Sequence, residues 1–228
     1  MSSSLTAAPS DVQGSDARFN TIPSLDGAPP LVTVRHLTKT YCGRPALRDL
    51  SLSLPAGRIV GLMGANGCGK TTLLKILAGV LADYEGQVRI AGHAPGPLSK
   101  ALVSFLPDAD FLATSLTPPR AIAQFSRLFA DFDAAKARRL VEFFALPADR
   151  SIKEMSKGMG EKLRIALMMS RRARVYLLDE PISGVDPAAR EIVLDGVLRD
   201  FESDSLMIIS THLIADVEPI VDSVVFLK

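Results

Sequence analysis

From Leu31 onward, apolar and polar residues alternate in short β-branched runs: LVTVRHL (31–37), LSLSL (50–54) and RIVGLM (58–63). Gly43 and Pro55-Ala56-Gly57 punctuate them, which predicts an antiparallel start feeding a more buried strand. After Met63 comes a glycine-rich turn, then TTLLKILAGVL (71–81), whose apolar spacing suits a buried helix. Further strands are expected at Gln87 to Ala91, Leu102 to Leu106, Val175 to Asp179, Leu206 to Ser210 and Ser223 to Leu227. Several are continuously apolar, as strands covered on both faces tend to be.

Between Asp108 and Met155 the strand signals vanish. Pro118-Pro119 opens a stretch with apolar residues at helical spacing and a break near Asp131 to Asp133. Ser156 to Arg172 reads as another helix, and Asp186-Pro187 supplies a cap and a first helical residue for the next. The pattern predicts an α/β core over residues 30–228, with a helical subdomain inserted at about 108–170. Residues 1–29 are rich in Ser, Ala, Asp, Gly and Pro and lack apolar periodicity, so they read as a mobile, disordered tail.

Composition narrows the class. A chain of 228 residues with 47% hydrophobic and 22% charged residues has room for a sizeable core and is not a disordered class. Lys+Arg 26 against Asp+Glu 25 gives no bulk drive toward nucleic acid or an anionic bilayer, so any phosphate chemistry must be local. No apolar run approaches the roughly 18 residues of a membrane span. The opening residues carry no basic and apolar leader, which predicts a cytoplasmic protein. Cys42 and Cys68 are too few for a disulfide framework.

That local site has a clear candidate. Gly64-Ala65-Asn66-Gly67-Cys68-Gly69-Lys70-Thr71, followed by Thr72, matches G-x-x-x-x-G-K-[ST] between a predicted strand and a predicted helix. Its glycines let backbone N–H groups and a helix N-terminus face a polyanion. Lys70 would reach β- and γ-phosphates, and the Thr71 hydroxyl would ligate Mg²⁺. The apolar strand Val175 to Leu178 ends in Asp179-Glu180, at the end of a strand where ligands of parallel sheets bind. Asp179 is the second metal anchor and Glu180 the group that polarises water.

With these motifs in this order, the chain resembles the ATP-binding cassette (ABC) ATPases over residues 31–228. The resemblance implies a P-loop NTPase (RecA-like) core with an antiparallel β subdomain, and ATP with Mg²⁺ as ligands. Tyr41 matches the family's adenine-stacking aromatic. Met155-Ser156-Lys157-Gly158-Met159 occupies the place of the signature LSGGQ, which completes the opposite subunit's ATP site. Ser156 and Gly158 keep its hydroxyl and helix N-terminus, whereas Lys157 and Met159 depart from it. Lys157 is expected to add a cation near the shared phosphate. Ser183-Gly184-Val185-Asp186 is similar to the D-loop, although an Asp186 cap also accounts for it. His212, after Thr211, resembles the switch histidine that contacts the γ-phosphate. The family usually carries a glutamine after the strand Leu102 to Leu106, and here Asp108 is the expected equivalent, a third metal contact. These departures make the resemblance strongest to ABC-2-type exporter ATPases.

The family further implies a transporter ATPase subunit: a second ATPase subunit, identical or paralogous, and a membrane permease on a separate chain. Its place would be peripheral, on the inner face of the membrane. A soluble ABC ATPase acting on nucleic acid or the ribosome is the alternative, disfavoured by a single cassette with no basic block. A nucleotide-sensing module is the other, disfavoured because Lys70, Asp179, Glu180 and His212 are all present.

Overall fold

The structure is a computed structural model that describes residues 20–21, 29–199 and 201–228. Two sheets carry the chain. The first holds β1 (Asn20–Thr21), β2 (Val32–Tyr41), β3 (Arg44–Leu54) and β5 (Glu85–Ile90) in the order β1-β3-β2-β5. β2 pairs antiparallel with β3 and β5, as expected of the opening runs. Apart from Asn20–Thr21 and Pro29, the expected tail lies outside the described residues.

The second sheet is wholly parallel, in the order β6-β7-β8-β4-β9. Its members are β4 (Arg58–Met63), β6 (Val103–Leu106), β7 (Val175–Asp179), β8 (Leu206–Ser210) and β9 (Ser223–Phe226). Successive side chains of a strand point to opposite faces. Accordingly Val175 and Leu177 of β7 enter one core cluster, with α1 (Lys70–Leu77) and the antiparallel sheet, while Tyr176 and Leu178 enter the other. β8 divides the same way, Leu206 and Ile208 against Met207 and Ile209. Each such fully buried aliphatic contributes about 2 kcal/mol. This two-sided cover is why the runs are apolar without alternation.

The second cluster is closed by α3 (Pro118–Leu128), α4 (Ala134–Phe143), α5 (Lys157–Met169) and α6 (Pro187–Leu198). The break falls where expected: Asp133 caps α4, accepting from the N–H groups of Ala135 and Lys136 at 3.0 and 2.9 Å. The Lys136 N–H, with lesser help from Arg172, holds the Asp133 carboxyl below its ordinary range. Arg171 ties these helices to the sheet edge. It is 6% exposed, pairs with Asp131 at 3.0 Å, donates to the Val103 carbonyl at 2.8 Å and stacks on Phe129.

Some boundaries differ from expectation. α1 stops at Leu77 rather than Leu81, because Gly79 turns with φ +68°. β3 starts at Arg44 instead of Leu50, since pairing with β2 extends it beyond its apolar run. Two short helices, α2 (Pro97–Ala101) and α7 (Ile214–Val217), are too brief to carry a periodic signal.

Candidate functional site

Four neighbouring strands of the parallel sheet deliver their carboxyl ends to one place. β4 leads into residues 64–72, β6 into Asp108, β7 into Asp179-Glu180 and β8 into Ser210 to His212. A cavity of about 440 Å³ lies there. Its walls are Asn66, Gly67 and the run Gly69 to Thr72, with Asp108, Glu180, Ser183 and His212 opposite.

The loop 64–69 wraps tightly because Gly69 takes φ +99°. A Cβ there would collide with the Ala46 carbonyl and the Leu47 side chain, so only glycine fits. Lys70 is 7% exposed, and its ammonium donates to the carbonyls of Gly64 and Ala65 at 2.8 and 3.2 Å. The loop thus holds a buried cation on its own carbonyls, ready to exchange them for an anionic acceptor.

Asp179 is 1% exposed. Its Oδ1 accepts from the hydroxyls of Ser210 at 2.6 Å and Thr71 at 3.1 Å, while its Oδ2 is buried without a partner. An orphaned carboxylate oxygen in the interior is costly and calls for a cation or a water. Among the described residues no three His, Cys, Asp or Glu gather as a metal cage. That donor set fits Mg²⁺, which takes one or two carboxylates and keeps waters and substrate phosphates as its other ligands.

Glu180 is held in a strained conformation by two partners. Its φ of +50° is a left-handed conformation that costs about 1–2 kcal/mol for a side-chain-bearing residue. Its N–H meets the Ser210 carbonyl at 3.0 Å, and His212 Nδ1 lies 2.9 Å from its Oε2. A carboxylate aimed by an imidazole beside a phosphate cradle can accept a proton from water.

Other expected residues stand outside this cavity. Tyr41 is 44% exposed, with the Lys39 ammonium 4.8 Å from its ring centre. Cys68 faces a different cavity, shared with Pro45 to Arg48. Asp186 caps α6, accepting from the Ala188 N–H at 2.9 Å. Ser156 caps α5, accepting from the Met159 N–H at 3.2 Å. Ser156, Lys157 and Gly160 line a separate cavity with Asp110 and Arg164. Gly158 lies beside Gly184, and the Lys157 stem packs against Gly184 of the same chain.

Three residues escaped the sequence reading. Ser210 orients Asp179 across the strand pair, Asp179 and Ser210 being register partners. The serine closing the run LMIIS was the available signal. Glu161 and Arg164 are buried on α5 with nothing in the sequence to mark them. Burial pushes the Glu161 carboxyl up, against the pull of Arg164 and Lys157.

Comparison with known proteins agrees with this fold. The family model described as ABC transporter matches residues 47–183. The chain belongs to the ABC transporter family. It is 28% identical over 201 residues to the ABC transporter ATP-binding protein YtrB of Bacillus subtilis, covering 87% of this chain and 69% of that one. It is 31% identical to the Nod factor export ATP-binding protein I of Ralstonia nicotianae, covering 86% and 64%. The chain therefore spans about two thirds of the length of these relatives. A solved structure of the ATP binding subunit of an ABC transporter superposes with a TM-score of 0.77 at 26% identity, covering 87% of this chain and 86% of the other. Among the described residues no helix is long and apolar enough to cross a membrane.

Proposed function

We propose that the chain is the ATP-binding and ATP-hydrolysing subunit of an ABC transporter, and that two such subunits enclose ATP to drive a permease carried on a separate chain. The observation that carries this reading is that Lys70, Thr71, Glu180 and His212 line one cavity, with the half-satisfied Asp179 carboxylate bonded to Thr71 just behind its wall. The relatives' shared role as transporter ATP-binding proteins supports it.

In this reading the amides of residues 64–69 and the head of α1 bind the triphosphate, and Lys70 releases its two carbonyls to neutralise the β- and γ-phosphates. Thr71 and Asp179 would hold Mg²⁺, with Asp108 at the rim, and the ion would offset phosphate charge. Glu180 takes the proton of a water whose oxygen attacks the γ-phosphorus, as the bond to the bridging oxygen breaks and ADP leaves. His212 holds Glu180 in place through Nδ1 and offers Nε2 to the γ-phosphate. Tyr41 supplies a stacking face for the base. Ser156 to Met159 face the second subunit's ATP, and Ser183 with Asp186 lie along the contact between the two.

Equilibrium binding of ATP, with and without Mg²⁺, and phosphate release at a series of protein concentrations test the reading. Binding that tightens with Mg²⁺ and a specific rate that rises with protein concentration are expected. A chain that binds no ATP, or one whose specific rate is indifferent to dilution, overturns it.

A further inference from the structure

Away from the cradle, α5 buries an ion pair that the chemistry above does not use. Glu161 and Arg164, one turn apart, are 5% and 8% exposed. Burying two charges costs more than a loose pair returns. This pair is loose: Arg164 Nη2 lies 3.4 Å from Glu161 Oε1, and Glu161 Oε2 has no partner. As a source of stability it is poor.

Its connections suggest another use. Arg164 Nη1 donates to the Asp108 carbonyl at 3.3 Å and lies 3.2 Å from the Asp110 carboxylate. The Gly184 backbone lies against the Glu161 carboxylate, and its N–H pulls that carboxyl down against the effect of burial. A Cβ on Gly184 would collide with the Glu161 carboxylate and the Lys157 stem, so the turn sits directly on Glu161. Asp108 and Ser183, neighbours of the two clasped groups, both line the proposed ATP cavity.

We propose that Glu161 and Arg164 are positioning residues for ATP turnover: together they clasp the Asp108 loop and the Ser183-Gly184 turn, and so fix both against Glu180. The proposal rests on the reading of the cavity as an ATP-hydrolysing site. Neither clasped loop contains Lys70 or the cradle amides, so the affinity for ATP measured without Mg²⁺ is supplied elsewhere. Loosening the clasp therefore slows turnover and leaves binding intact, since small misplacements around a reacting group reduce rate far more than they reduce affinity.

The test uses the full chain with Arg164→Met, Glu161→Gln and the double variant, which leaves no buried charge unpaired and so guards against failure to fold. In Arg164→Met and in the double variant, amide exchange at residues 108–110 and at Gly184 rises together, while exchange in β7 is unchanged. The same variants lose about tenfold in kcat and keep the dissociation constant for Mg²⁺-free ATP within about twofold. Asp110→Asn, whose side chain is 90% exposed, changes kcat less than twofold. Wild-type kcat in the double variant, exchange that rises in one loop alone, or a dissociation constant that weakens as much as kcat each overturns the proposal. If wild-type protein neither binds nor hydrolyses ATP, the ATP reading itself has failed, a result separate from the behaviour of the variants.

Discussion

Two helix heads are proposed to face phosphate, and they are built differently. The head of α1 has no side-chain cap; Gly69 curls the preceding loop back over it, and Lys70 is buried against that loop. The head of α5 is capped in the ordinary way by Ser156, and Ser156 and Lys157 are exposed. The first is concave, with its donors and cation converging inside one chain. The second is exposed at Ser156 and Lys157, beside a cavity that holds the Asp110 carboxylate but no phosphate-binding loop, and can enclose an anion only if another surface supplies the opposite wall. A helix N-terminus attracts anions in either setting, but only an enclosed one excludes enough water to bind one strongly.

The largest effect expected on this comparison comes from Glu180→Gln, which removes the proton acceptor without touching either head. Phosphate release falls by about 10²–10⁴-fold, ATP binding persists, and a two-subunit species accumulates with ATP on a sizing column. Turnover near the wild-type rate means another group handles the water.

Lys70→Ala comes next. Losing a buried charge-assisted contact weakens ATP binding by about 10–100-fold, following the roughly 1.5–3 kcal/mol of hydrogen bonds to charged groups. Titration at high and low protein concentration should give the same loss, because the cradle belongs to one chain.

Ser156→Ala lowers turnover by about tenfold, the low end of what a hydrogen bond to a charged group contributes, and the deficit should respond to mixing. A pair of one Lys70→Ala and one Ser156→Ala subunit contains one site with an intact cradle and an intact α5 head. The mixture should therefore exceed either variant alone. If it does not, the α5 head is a cap and nothing more.

The smallest effect lies away from both heads. Asp133→Ala removes the α4 cap, costing about 1 kcal/mol by denaturant titration with unchanged kcat. Because the Asp133 carboxyl is held below its ordinary value in the folded chain, its contribution is complete above about pH 4. It is lost as pH falls further, through the lowered folded value, so wild type and variant should converge in acid.

The fold class and the cradle were legible in the chain itself because both are local in cause. The glycine spacing of 64–69 requires no knowledge of what lies opposite, and the continuous apolar runs of β7 and β8 report burial on both faces. Asp186 announces the cap of the helix that starts at the next residue, and the break read near Asp131 to Asp133 falls where Asp133 caps α4. These are effects of neighbours in sequence, and sequence alone determined them.

What converges on the cavity was decided elsewhere. The unpartnered Asp179 oxygen exists because Ser210 and Thr71, 31 and 108 residues away in sequence, both occupy its other oxygen. Glu161 and Arg164 show the limit most plainly: three residues apart on a helix, their spacing allows contact but says nothing of burial. Packing of α5 under the Asp108 loop and the Gly184 turn made them an interior pair. Burial depends on what the rest of the chain places overhead, and that information is spread over contacts distant in sequence, which only the folded molecule brings together.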